Sequence, residues 1–256
     1  MRPLISKIKP AKGFSRLAHL GSNIVLVLLV FVLVRIDFIP LAFALILLSK
    51  WRMFAVRPRF WPANLRANSI DIIVSTSLLV CMADSNSQFI QLGWALAYAV
   101  WLLVVKPASS ALVVSLQAMV GLLFGLSAVF IEWGDGALYW LVLASAVVCY
   151  LSARHFFDSF DEPYAKLLSY LWSYFAAGLT WVLGHWLLFY GGIIAQPTLL
   201  LVAVGYGLAT LYYLDHNDKL SRLVRIEVMT TTGAIVIAVV VSLTANIITT
   251  VRTLLR

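Results

Sequence analysis

The stretch "SSALVVSLQAMVGLLFGLSAVFI", residues 109–131, contains no charged side chain. About 20 consecutive apolar residues form a helix long enough to cross the hydrocarbon core of a bilayer. The stretch lacks the alternation of polar and apolar residues that is typical of a membrane barrel strand. Because a chain inside lipid must satisfy its own backbone polar groups, the stretch predicts a transmembrane α-helix.

Apolar segments of this kind recur along the whole chain. The sequence is 62% hydrophobic and only 12% charged, which leaves too little polar surface to cover a soluble globule. It therefore predicts an all-α, polytopic bundle of about nine transmembrane helices, with residues 1–256 as a single integral membrane domain and no soluble domain. The nine apolar segments are Ala18 to Val34, Phe38 to about Phe54, Ala67 to Ala83, Gln88 to Val105, Ser109 to Ile131, Ala137 to Leu151, Leu167 to Tyr190, Pro197 to Leu214, and Val228 to Thr250.

The first two segments leave an alternative open. Only "RID", residues 35–37, separates them, and the second segment needs Lys50 and Arg52 to reach spanning length. A re-entrant hairpin fits this stretch as well as two complete spans do.

The basic residues predict an orientation. Of the nineteen Lys and Arg residues, sixteen fall on one side of the predicted bundle, and five of these precede the first helix. Because cytoplasmic loops carry the excess of Lys and Arg, residues 1–17 and the amino terminus are predicted to be cytoplasmic in a multi-pass cell-membrane protein. The net charge of +8 then indicates an attraction to anionic lipid headgroups rather than to nucleic acid.

The loop "KWRMFAVRPRFWPANLRANSID", residues 50–71, interleaves aromatic and basic side chains. An interfacial elbow is favoured, with rings at headgroup depth and arginines on phosphates. An anion-binding pocket is the alternative, because arginine offers two parallel donors to a phosphate or carboxylate. The candidate headgroup contacts are Arg52, Arg57, Arg59 and Arg66.

Asp71 is the deepest carboxylate on the predicted inner side. It follows Arg66 by five residues and Asn68 by three. Pairing with an arginine at the membrane edge would explain it. Because ionisable residues inside a membrane are costly, Asp71 is also the best candidate for an embedded functional acid.

A second polar string, "RHFFDSFDE", covers residues 154–162. If the sixth helix continues through it, His155, Asp158 and Glu162 share one face and could hold a divalent cation. The favoured interpretation is a helix end, in which Asp161 and Glu162 cap the next helix at Pro163.

A third string, "DHND", lies at residues 215–218 and is predicted on the same face. Asp215 and His216 could complete a joint site with the second string. Asp218 is also a suitable N-cap for the basic amphipathic stretch that follows.

Few polar residues lie inside the predicted spans. Gln117, His185 and Asn246 could line a polar path, although isolated polar side chains more often bond between helices. Gly121 and Gly125 have the GxxxG spacing that allows two helices to approach closely, within the chain or with a partner helix. The string "VGYG", residues 204–207, lies in an apolar helical segment, which argues against the extended loop of a potassium-channel filter.

The predicted layout is similar to that of the UbiA-type intramembrane prenyltransferases, in which carboxylates of two connections hold Mg²⁺ against a pyrophosphate. The resemblance implies metal ligands at Asp158, Asp161 and Glu162, near Lys166. The string after the second helix departs from the family pattern. Asn68 and Asp71 are present there, but Val74 and Ser75 stand where aspartates are expected.

Three functional classes follow. A non-enzymatic multi-spanning protein is favoured, either transport-related or a subunit of a membrane complex, because charge within the spans is scarce. The alternative is a membrane-embedded, metal-dependent enzyme acting on a lipid phosphate or pyrophosphate at the cytoplasmic face. No cofactor is evident from the sequence, and a divalent cation is the one that the polar strings could hold.

Overall fold

The computed structural model describes residues 14–185 and 194–254, and the side chains of residues 20–185 and 194–242. These ranges are helical and contain no strand, so the all-α prediction is confirmed for them. The α-helices are α1 (Phe14–Arg35), α2 (Ile39–Ser49), α3 (Trp61–Ala67), α4 (Ser69–Asp84), α5 (Gln88–Val100), α6 (Ala111–Trp133), α7 (Leu138–Asp158), α8 (Ala165–His185), α9 (Gln196–His216) and α10 (Arg222–Leu254). Two 3₁₀ turns, Trp51–Met53 and Pro58–Phe60, precede α3, and a π-helical turn, Trp101–Val105, continues α5.

The number of membrane spans is smaller than predicted. Six helices are long and apolar enough to cross a membrane, namely α5 with its π turn and α6 to α10, and this supports a multi-spanning membrane protein. Helices α3 and α4, bent by 62° against each other, make a seventh if they count as one span. Helix α2 has 11 residues and extends only about 16 Å, roughly half the hydrocarbon thickness. Nine complete spans are therefore not confirmed.

Each of the nine predicted segments contains a helix, but some boundaries differ. The second helix ends at Ser49 instead of near Phe54, because the chain turns into a 3₁₀ segment. The sixth predicted helix continues from Leu151 to Asp158. The seventh is described as far as His185, and the rest of its predicted range lies outside the described residues.

Two groups of helices pack side by side. In the first, α1 and α2 form a hairpin that turns at Asp37, where φ is 60°, and packs against α4 and α5. Its core includes Val30 and Ile46, both completely buried. In the second, α7 packs along α8, and α6 joins α7 and α9. Helix α6 also packs against α4 and so connects the two groups, while α10 lies outside and packs chiefly against α9.

The GxxxG spacing brings α6 close to α4 and α7. A Cβ atom at Gly125 would lie 2.7 Å from both Ile73 Cγ2 and Val148 Cγ1, which is too close for real atoms. At Gly121 it would lie 2.9 Å from Ile70 Cδ1. These glycines therefore serve packing within the chain, and they keep the two helix groups in contact.

The "VGYG" string lies within the continuous helix α9, as predicted. A Cβ atom at Gly205 would come within 3.2 Å of Trp172 of α8, and one at Gly207 would overlap Thr232 of α10. The two glycines thus allow neighbouring helices to approach α9.

Replacing Gly125 with alanine should destabilise the fold by about 1–3 kcal/mol, because the added methyl group overpacks the α4–α6–α7 contact. The measurement is the unfolding midpoint of the purified chain in detergent. Gly178→Ala in α8 is the matched control, since nothing lies within 4 Å of its Cβ position. An equal loss of stability in both variants would contradict this packing role.

Candidate functional site

The polar contacts of Asp71, Gln117 and Glu162 lie at one end of the bundle, which we call the loop face. It carries the connections at residues 50–68, 106–110, 159–164 and 217–221. Gln117, in the second turn of α6, helps to hold this end together, because its Nε2 donates to the carbonyl oxygens of Val105 at 2.7 Å and Ala108 at 3.0 Å.

Asp71 is the centre of a buried ionic cluster at the loop face. Lys50 donates from Nζ to Asp71 Oδ2, and Lys106 Nζ lies 2.7 Å from the same oxygen. We call Lys50, Asp71 and Lys106 the Asp71 triad. The indole of Trp101 donates from Nε1 to Asp71 Oδ1 at 3.1 Å. Both carboxylate oxygens are therefore satisfied in a site where Asp71 is only 7% exposed.

The π-helical turn after α5 places two of these partners. The Lys106 backbone N–H donates to the Trp101 carbonyl at 2.9 Å, a bond that spans five residues. In an α-helix, residues five apart would be rotated by about 140° from each other. Because the wider turn reduces this rotation, the side chains of Trp101 and Lys106 both reach Asp71.

The partners of Asp71 are thus two lysines, and an arginine at the membrane edge was the wrong expectation. Lys50 is 6% exposed, whereas the Lys106 side chain is 40% exposed. Burial lowers the pKa of the Lys50 ammonium from its usual value, and the Asp71 carboxylate opposes this shift. The triad joins the end of α2, the start of α4 and the end of α5.

Residues 51–68, which we call the elbow loop, are folded on themselves. Trp61 donates from Nε1 to the carbonyls of Val56 at 3.0 Å and Phe54 at 3.2 Å, and Asn64 Nδ2 donates to the Met53 carbonyl. The Arg59 guanidinium lies 4.6 Å from the ring centre of Phe60. The candidate headgroup contacts are all exposed, and none of them pairs with a carboxylate in the described part of the chain; they are Arg52, Arg57, Arg59 and Arg66.

The three side chains that the second polar string would place on one helical face have separate partners. His155 Nε2 lies 3.1 Å from Gln117 Oε1, and Asp158 pairs with Arg154 at 3.0 Å. Helix α7 ends at Asp158, so Glu162 lies in the turn that follows, where it accepts the hydroxyl of Tyr212. Within the described ranges, no group of three His, Cys, Asp or Glu residues is arranged to hold a metal ion.

The second and third strings do meet, but through aromatic rings. The ring centre of Phe160 lies 5.1 Å from that of His216 and 5.3 Å from that of Tyr212. Asp215 is exposed near the end of α9. The contact therefore closes the loop face between α7 and α9 without bringing carboxylates together.

Two predicted capping residues occupy turns with left-handed backbone, Asp161 with φ 52° and Asp218 with φ 54°. Asp218 is not the N-cap of α10. Ser221 takes that place, because its Oγ accepts the Val224 N–H at 3.2 Å. Helix α8 begins at Ala165 and not at Pro163, and Glu162 Oε1 accepts the N–H of Tyr164 at 3.3 Å, just before the helix, instead of capping its first turn.

The candidates for an intramembrane polar path do not lie together. Gln117 sits at the loop face, whereas His185 is in the last turn of α8, at the opposite end, with Nδ1 3.3 Å from the Trp181 carbonyl. The side chain of Asn246 lies outside the described residues. The described residues therefore show no shared path between Gln117 and His185.

A partly open cavity of about 500 Å³ lies between α6, α7, α8 and α9. Its lining is almost entirely apolar. The residues are Ser115, Ala118, Met119, Leu122, Ser152, Ala153, Phe156, Phe157, Leu168, Leu171, Trp172, Phe175, Val204, Gly205, Leu208, Ala209 and Tyr212. Ser152 is 3% exposed, and its Oγ has no hydrogen-bond partner among the described residues.

The cavity occupies the half of the bundle next to the loop face. Phe157 and Tyr212 line the end of the cavity nearest the loop face, and Leu122 and Phe175 line the end that lies deeper in the bundle. The Tyr212 hydroxyl also donates a hydrogen bond to Glu162, so a polar contact lies at the rim of the apolar cavity. This arrangement suits a ligand with a long apolar part and one polar end.

Sequence reasoning identified Asp71 but missed the residues that complete both sites. Lys50 and Lys106 were not recognised as its partners, and no pattern indicated the π turn that places Lys106. Nothing in the sequence singled out the cavity residues Phe156, Trp172 and Tyr212. Comparison with protein-family models, curated proteins and solved structures finds no match.

Asp71→Asn should lower the free energy of unfolding by about 3–5 kcal/mol, because it leaves the buried Lys50 ammonium and the partly exposed Lys106 ammonium without their carboxylate. The measurement is an SDS titration of the purified protein in mixed micelles. Asp158→Asn is the matched control, since Asp158 is 42% exposed in its ion pair and should cost at most about 1 kcal/mol. A loss at Asp71 no larger than the control would contradict a structural role for the triad.

Proposed function

We propose that this chain is a non-enzymatic, multi-spanning membrane protein that binds a lipid in the α6–α9 cavity and has a transport-related role. The cavity is the observation that carries the proposal. Its volume of about 500 Å³ lies within the range of known ligand sites, and its lining is dominated by aliphatic and aromatic side chains.

The surroundings favour a lipid over a soluble ligand. The four helices around the cavity are all candidate membrane spans, so their outer surfaces face hydrocarbon. An apolar chain can enter from that phase without being transferred through water. Tyr212 and Glu162 at the rim, near the ends of their helices, stand where the polar end of such a lipid would lie.

Binding is favoured over catalysis because the carboxylates near the cavity have separate partners. Asp158 is paired with Arg154, and Glu162 with Tyr212. We place the loop face in the cytoplasm of a cell-membrane protein, on the basis of the predicted excess of Lys and Arg on that side. The metal-dependent enzyme acting on a lipid phosphate stays the alternative, since the same cavity would accept its substrate.

Filling the cavity should abolish tight lipid binding. Ala209 lines the cavity, so Ala209→Trp would place an indole in the space that the lipid chain needs. The measurement is native mass spectrometry of the detergent-purified protein, titrated with a phosphatidylcholine that carries a diazirine in its acyl chain. The native chain should retain about one lipid, crosslinked to cavity residues after irradiation.

Gly178→Trp is the matched control, because Gly178 is exposed on α8 and has open space around its Cβ position. This variant should keep the bound lipid. If both variants retain it, or if crosslinks spread evenly over the lipid-facing surface, the cavity is not a lipid site.

Metal binding separates the proposal from its enzymatic alternative. Calorimetry with Mg²⁺, Mn²⁺ and Zn²⁺ compares the native chain with an Asp158→Ala, Asp215→Ala double variant. We expect no saturable binding to either protein, because the candidate ligands do not converge among the described residues. Binding by the native chain that the variant loses would favour the enzyme.

A further inference from the structure

The Asp71 triad has one positive charge more than its carboxylate can neutralise. Lys50 and Lys106 share Asp71 Oδ2. The nearly buried Lys50 already supplies a counter-charge, so Lys106, with 40% of its side chain exposed, adds a second cation. Charge that is partly removed from water is costly unless an opposite charge comes within reach. The exposed side of Lys106 therefore favours an additional anion.

The elbow loop, whose two ends adjoin the triad, adds charge of the same sign. It begins directly after Lys50 and ends three residues before Asp71, so the triad holds its two ends together. Between residues 50 and 71, Asp71 is the only acidic residue in the sequence. The cations of this region are Lys50, Arg52, Arg57, Arg59, Arg66 and, from α5, Lys106.

The loop presents these cations on a folded framework. Two 3₁₀ turns and α3 make up most of it, and the side chains of Trp61 and Asn64 bond back to its backbone. Trp51 is 61% exposed and Trp61 is 41% exposed, although both are large and apolar. Exposed indoles beside arginines are typical of the headgroup region of a membrane.

We propose that the elbow loop and Lys106 form a binding site for the phosphate group of an anionic phospholipid. An arginine guanidinium can donate two parallel hydrogen bonds to phosphate oxygens, and the Lys106 ammonium adds a positive charge next to Asp71. The exposed indoles lie against the glycerol and upper acyl region, where a free phosphate ion offers nothing to contact. Its residues lie in the elbow loop and at the end of α5, and none of them lines the α6–α9 cavity.

The test measures thermal unfolding of the full chain in detergent during titration with dioctanoyl phosphatidylglycerol. Dioctanoyl phosphatidylcholine and inorganic phosphate are titrated in parallel. Phosphatidylglycerol should raise the midpoint saturably, because a ligand that binds only the folded state stabilises it. Inorganic phosphate should have little effect, and the smaller rise with phosphatidylcholine, which can also enter the α6–α9 cavity, should disappear in Ala209→Trp. Equal stabilisation by inorganic phosphate would identify a free-anion site and overturn the lipid assignment, and no response to phosphatidylglycerol would overturn the site.

Variants locate the effect. Lys106→Gln and Arg57→Gln should each weaken phosphatidylglycerol binding by about tenfold, whereas Lys106→Arg should retain most of it, because a charge-assisted contact to phosphate is kept. Arg57 is exposed in the elbow loop, so its variant decides the matter if Lys106→Gln does not fold.

Lys219→Gln and Arg222→Gln are the matched controls, since they remove one positive charge each from exposed positions elsewhere on the loop face. Both should bind phosphatidylglycerol like the native chain. Equal weakening in the controls would mean diffuse attraction to the basic face and would overturn a defined site. Ala209→Trp should leave the difference between the phosphatidylglycerol and phosphatidylcholine responses unchanged, so failure here is distinguishable from failure of the cavity proposal.

Discussion

A carboxylate placed among apolar helices is the constraint on which the first half of the bundle depends. Asp71 cannot be withdrawn from water without partners, and the fold supplies them from two distant parts of the chain, Lys50 and Lys106. Helix α2 is too short to be fixed by spanning the bilayer, so its position relative to α4 depends on apolar packing around the buried Ile46 and on the ion pair at its end. The π turn after α5 lies at the position that allows the side chains of Trp101 and Lys106 to reach the same carboxylate.

The second half of the bundle is organised differently. Several of its polar side chains lie near the helix ends and bond to one another, as His155 does with Gln117 and Glu162 with Tyr212, whereas the buried hydroxyl of Ser152 has no partner among the described residues. The space between the helices is left to apolar side chains and a cavity. In this half of the bundle the polar contacts hold helix ends together, and the interior contains the apolar cavity that we propose as a lipid site. The glycines of α6 bring together these two halves of the bundle, whose polar contacts are organised differently.

The sequence predicts the helices well and their roles less well. Apolar runs are sufficient to locate every described α-helix except α3, which lies in the elbow loop, because a buried backbone in lipid has few alternatives. They do not reveal that α2 stops at Ser49, because the Trp and Met residues that follow are apolar as well. Asp71 is found as the costly residue, but its partners lie 21 and 35 positions away and their approach depends on the π turn. The metal hypothesis assumed that α7 continues through Glu162, whereas a left-handed residue at Asp161 turns the chain.

Helix α10 is longer than the membrane that it enters. Its 33 residues extend about 50 Å, compared with about 30 Å of hydrocarbon, so it must tilt or protrude. In the part of the chain whose side chains the structure describes, α10 packs chiefly against α9, where Thr232 fits against Gly207. A rod attached near one point changes its inclination when the bilayer becomes thinner or thicker. Because α9 also lines the cavity, we expect a change in bilayer thickness to exert a sideways force on the cavity through the contact between α10 and α9.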